Sequence, residues 1–290
     1  MFTKLVFCAK ILLILIKGRD FLEKEKKYTF GGVCLAILKS LGFIGFWLAF
    51  TSLISVLVAI LLGAFYSGSS VEAIQGLYQQ KSCEITIIAN ALTIMLYALF
   101  YRVKKISFIE RCKIKDCSIG LYLKALGLGV TGQLAIQLLL SSIMSLLPKD
   151  WLDKLNESNE AIVNAPTSIL IITTVIMAPL LEEIMCRALM LGALRGAMPK
   201  WIAIILSSLI FGLLHANPIG IIYATLFGIL LGWLFIKTNS VLPAILCHLA
   251  FNLTSYILGE MENINGMIIL ASIPVLVILI RSIAITRETE

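Results

Sequence analysis

The chain has 290 residues, 59% hydrophobic and 14% charged, with a mean hydropathy of +0.98 and a formal net charge of +7. A soluble domain of this length carries roughly a quarter charged residues, so an ordinary water-facing surface is excluded. The positive charge does not point to nucleic acid, because no basic face with interleaved aromatics is present. Basic residues gather at membrane flanks instead and set orientation.

Several apolar runs reach the ~20 residues a helix needs to cross the hydrocarbon core. They are read as helices, since lipid cannot satisfy unpaired backbone groups, and the ~10-residue alternating segments of a membrane barrel do not occur. The expected fold is all-α, a polytopic transmembrane helical bundle of about eight spans.

The N-terminus, MFTKLVFCAKILLILIKGRD, has the basic start and apolar stretch of a signal peptide. Lys10 interrupts the stretch over 5–16, however, and no small-residue cleavage site follows. An interfacial helix is the better reading, making 1–40 an interfacial or cytoplasmic segment. Spans are then expected over 41–66, 83–101, 119–147, 167–194, 201–216, 219–236, 241–258 and 266–281. Residues 41–160 form an N-terminal membrane region with no legible chemistry, and residues 165–280 a second domain that carries it.

With both termini inside, seventeen basic residues fall on inward flanks and three, Lys81, Lys149 and Lys154, on outward loops. That asymmetry is what the positive-inside rule expects. The seven cysteines (Cys8, Cys34, Cys83, Cys112, Cys117, Cys186, Cys247) are odd in number and form no C-x-x-C pair, so neither a disulfide framework nor a cysteine zinc site is indicated. CKIKDC reads as two free thiols in a basic loop.

The chemistry sits in the later spans. LLEEIMCRALM puts Glu182, Glu183 and Arg187 inside an apolar segment, where each charge costs about 2.5–3.5 kcal/mol at a helix centre. Such a cost implies a protein-lined or wet interior. Glu183 and Arg187 are spaced i,i+4 and can pair, while Glu182 lies about 100° round the helix and is left for another partner. FGLLH, with Phe211 and His215, ends the fifth span before Asn217-Pro218, where the proline turns its predecessor away from helical geometry. CHLAFN places His248 and Asn252 one turn apart on one face.

A bland reading stands beside each: a buried pair that fixes helix packing, or an interhelical hydrogen-bonding histidine. Yet the chain's two histidines both follow the glutamates, each with a companion four residues away. Counting 1.5 Å per residue from the inner helix ends puts Glu182 about 20 Å deep, His215 about 21 Å, His248 about 10 Å and Asn252 about 16 Å. Such a cluster suits hydrolysis. A carboxylate in low dielectric is a stronger base for water, a histidine can orient that water, and a second imidazole with an amide can stabilise an oxyanion. No Ser-x-x-Lys or G-x-S-x-G nucleophile is present. Cys186 and Cys247 point away from their sequence neighbours Arg187 and His248, which disfavours a cysteine protease.

The ordered set EEIMCR, FGLLH and HLAFN resembles the CPBP family, the type II CAAX prenyl endopeptidases and the bacteriocin-processing or self-immunity (Abi) membrane proteins. The stretch from Phe211 to Asn252 looks like that domain throughout, with Gly228 and Gly232 where its small-residue helix face lies. The resemblance implies that Glu182 activates water with help from His215, that His248 and Asn252 form the oxyanion site, and that Glu183, Arg187 and Phe211 support them. It implies no obligatory cofactor. A zinc site on Glu182, His215 and His248 is the alternative chemistry, though H-E-x-x-H is absent.

The leading expectation is therefore a multi-pass intramembrane endopeptidase of a bacterial cell membrane, acting on a membrane-associated peptide or protein: CAAX-type processing, bacteriocin or pheromone maturation, or self-immunity. The competing classes are a non-catalytic immunity or scaffold protein and a small transporter relaying protons through Glu182, Glu183 and Arg187.

Overall fold

A computed structural model describes residues 28–163, 166–259, 261 and 266–285, with only the backbone of 159–163. The interfacial helix expected over 5–16, the flank cations at 17–27 and Arg287, and Cys8 lie outside the described residues. Among the described residues every regular element is a helix.

The elements are α1 (Phe30–Phe65), α2 (Val71–Gln80), α3 (Ser82–Val103), α4 (Phe108–Arg111), α5 (Ile119–Ile143), α6 (Lys149–Val163), α7 (Thr167–Leu194), α8 (Lys200–Leu213), α9 (Pro218–Thr238), α10 (Val241–Gly259) and α11 (Gly266–Ile285). Seven are long and apolar enough to cross a membrane: α1, α3, α5 with its 3₁₀ extension to Leu146, α7, α9, α10 and α11. The chain is an integral, multi-pass membrane protein. Large apolar side chains such as Leu53, Ile60, Ile205 and Ile278 point outward, as lipid-facing residues do.

Two of the boundary differences from expectation have a visible cause, while the last helix simply runs on from the expected 281 to Ile285. α1 begins at Phe30 rather than 41, because the Thr29 side chain accepts from the Gly32 amide and caps the helix. Its first turns are also held by packing, with Ala36, Ser40 and Ile44 buried. The expected fifth span, 201–216, shortens to the 14-residue α8, about 21 Å long. Ala216 takes a left-handed conformation (φ 58°) and Asn217 an extended one, accepting from the Gly220 amide to cap α9 with Pro218 in its first turn.

Glycines bring the inner helices together. A methyl at Gly129 of α5 would run into the Cys247 carbonyl of α10, and one at Gly212 of α8 into the Thr225 hydroxyl of α9. Gly228 and Gly232 face Ser208 and Ile204, at 3.0 and 3.2 Å from an added Cβ. These pairings run in opposite directions along the chain, so α8 and α9 form an antiparallel hairpin. α7 lies at the centre of the bundle, in contact with α1, α3, α8, α9 and α10.

Candidate functional site

α7 is not a uniform α-helix. Residues Ile172–Met177 and Glu183–Leu191 are π-helical, a winding that occurs mostly as single-turn bulges near functional sites. Pro179, between them, supplies a reason for the first. It has no N–H and crowds the preceding turn, and in the i→i+5 register, seen where the Ala178 amide bonds the Thr173 carbonyl, the donor due to Thr174 would be Pro179. The Thr174 carbonyl instead accepts from the Asn252 amide of α10 at 2.8 Å. An intrahelical vacancy thus becomes an interhelical bond.

The second π segment carries the charges. Glu183 and Arg187 are fully buried, with Nε 3.1 Å from Oε2. The approach is too oblique for a hydrogen bond, and the three guanidinium nitrogens find no acceptor among the described residues. The cation is held by charge and by the Phe211 ring, 4.6 Å from its Cζ to the centroid. The other Glu183 oxygen lies 2.9 Å from Nδ1 of His248, so a carboxylate on one side and the ring on the other join α7 to α10.

His248 lies between the two glutamates. Its Nε2 is 3.7 Å from Oε2 of Glu182, beyond direct hydrogen bonding but short enough for a shared water. Exposure separates the carboxylates: the Glu182 side chain is 22% exposed and Glu183 is sealed. Only Glu182 can meet water. The aromatic rings of Phe211 and Phe227 stand edge-on to His248, at 5.9 and 5.4 Å between centroids.

His215 reaches the cluster through Phe211. The two rings are 4.9 Å apart, and Nδ1 lies 3.1 Å from the Phe211 carbonyl. A carbonyl can only accept, so the proton belongs on Nδ1 and Nε2 is left with its lone pair. The Tyr223 ring packs 6.0 Å away. The expected residues therefore divide: Glu182, Glu183, Arg187, Phe211 and His248 are in direct contact, His215 joins through aromatic packing, and Asn252 is tied one step up α7.

The depth count put about 10 Å between Glu182 and His248, yet the two are in near contact. Helix ends do not share a level when α7 has 28 residues and α10 only 19. Reading the sequence also missed Thr174, Tyr223 and Phe227. Pro179 was a partial signal: a proline inside a helix orphans the carbonyl four residues back, that of Val175, and the π register moves the vacancy to Thr174. Tyr223 and Phe227 carried one too, being i,i+4 on one face of α9. Among the described residues no three His, Cys, Asp or Glu side chains are grouped to hold a metal.

A helical membrane bundle that gathers two carboxylates, an arginine and two imidazoles, with Glu183, Arg187 and His248 buried, defines a class of intramembrane polar-site proteins. Residues 164–254, which hold every side chain of the candidate site, match the family described as "Type II CAAX prenyl endopeptidase Rce1-like"; over this segment the CPBP resemblance is shown. A Bacillus subtilis (strain 168) protein described as "Putative membrane peptidase YdiL" is 29% identical over 113 residues, 38% of this chain. The aligned part spans 46% of that relative's length. No solved structure matches the chain.

Proposed function

We propose that the protein is an intramembrane endopeptidase in which Glu182 activates the hydrolytic water. The observation that carries this reading is the pairing of one sealed and one water-reachable carboxylate on either side of the same imidazole.

Glu182 takes a proton from water as the oxygen adds to the scissile carbonyl carbon, with Nε2 of His215 orienting that water. His248, carrying a proton on each ring nitrogen between the two carboxylates, and the second N–H of Asn252 donate to the resulting oxyanion. Glu183 fixes the His248 ring through Nδ1 and balances the positive charge that the doubly protonated ring carries throughout. Collapse of the tetrahedral intermediate breaks the C–N bond, the proton held by Glu182 passes to the departing nitrogen, and an acid and an amine are released. No metal takes part in this sequence. The substrate class is a membrane-associated peptide or protein, as in CAAX-type processing, bacteriocin or pheromone maturation, or self-immunity.

The test compares membrane-fraction peptide termini in cells producing wild-type protein, Glu182→Gln, His215→Ala or His248→Ala at matched levels. Wild-type-dependent termini should fall by about 10²-fold or more in Glu182→Gln. An unchanged set of termini in all three variants removes the protease reading, and inhibition by a chelator that zinc restores removes its metal-free form.

A further inference from the structure

A cavity lies away from the carboxylates, where α1, α3 and α4 meet the end of α7. Its volume is about 770 Å³. Three cations line it, Lys39 of α1, Lys104 just past α3 and Arg111 of α4, and no carboxylate does. None of the three makes an ion pair among the described residues. The deficit is unusual because Arg111 is half-buried: it donates to the Tyr101 hydroxyl and the Leu189 carbonyl, both at 3.3 Å, and stands 5.9 Å from the Tyr101 ring centroid, as Lys104 stands 5.1 Å from that of Phe100, yet no carboxylate balances its charge.

The rest of the wall is amphiphilic. Leu35, Phe43 and Phe100 give an apolar side, and Gly192 and Gly196 leave the room. A ligand that fits has a negative head at the three cations and a hydrocarbon body along α1 and α3. The cavity lies where membrane-spanning α3 gives way to its basic flank, the level of lipid phosphates. Basic pockets between spans at this level hold anionic headgroups.

We propose that this cleft binds the phosphate-bearing headgroup of an anionic membrane lipid. The site is independent of the hydrolytic reading, although Arg111 bonds the π-helical segment that carries Glu183. Thermal unfolding of the full chain in neutral detergent tests it, with phosphatidylglycerol, phosphatidylcholine or inorganic phosphate added. Lys39 and Lys104 are exposed, so Lys39→Gln/Lys104→Gln keeps the fold. Phosphatidylglycerol should raise the wild-type midpoint by about 5 °C or more over phosphatidylcholine. That shift should fall by half or more in the double variant and persist in a Lys237→Gln/Arg281→Gln control of equal charge loss. A full shift retained in Lys39→Gln/Lys104→Gln overturns the assignment, as does an equal shift from inorganic phosphate, which would make the ligand a free anion.

Discussion

Arg187 is sealed inside the bundle, where its charge can act only on its neighbours. Its guanidinium is fully buried beside Glu183 and over Phe211. Removing it leaves Glu183 as an uncompensated buried charge, which costs about 3–5 kcal/mol. Arg187→Met should therefore lower the unfolding midpoint markedly in detergent, and adding Glu183→Gln should restore much of the loss. If the double variant is as unstable as the sum of the singles, the pair is not coupled. The thiols of CKIKDC make a second test. Cys112 is fully buried and its thiol is pushed up to about 12 by that burial, whereas Cys117 is partly open. A maleimide at pH 8 should label Cys117 in the folded protein and reach Cys112 only after denaturation, read by peptide mass. The Glu183–Arg187 pairing was legible because i,i+4 spacing alone creates it. The Glu183–His248 bond was not, since it joins positions 65 residues apart and no local rule links them.

At the scale of the element, α7 is where local sequence and site geometry meet. Runs of apolar residues fixed its existence and extent, because lipid permits no alternative to a helix. They say nothing of its winding, which depends on where one donor is missing. Pro179→Ala tests that dependence. The new N–H can satisfy the Thr174 carbonyl within the helix, releasing Asn252. Cleavage should fall by about tenfold or more while the unfolding midpoint holds or rises. A variant with full activity would show that the Asn252–Thr174 bond does not position Asn252. The hairpin α8–α9 gives the converse lesson. Gly228 and Gly232 marked a close helix face, and they do meet Ser208 and Ile204. The length of α8 was overestimated, because FGLLH is as apolar as the helix it ends and only the turn geometry at Ala216 stops it.

The whole molecule turns on whether the short α8 changes the course of the chain through the bilayer. Charge asymmetry implies that both ends lie inside, and that arithmetic needs an even number of crossings. α8 is too short for a full span, and losing it alone would send the C-terminus outward. The antiparallel packing of α8 on α9 prevents this. Lys200 starts one strand of the hairpin and Lys237 ends the other, so both remain on one face whether the turn at 214–217 reaches the far surface or stops short of it. The far end is closed by α6, whose Ser158 hydroxyl accepts from the Asn217 amide at 3.4 Å. The basic segment before α5 and the acidic helix α6 after it should thus lie on opposite sides. Single cysteines settle the point: in a background with Cys8, Cys34 and Cys117 replaced by serine, Lys154→Cys should react with an impermeant maleimide in intact cells, and Lys105→Cys only after permeabilisation. The reverse pattern would invert the protein in the membrane.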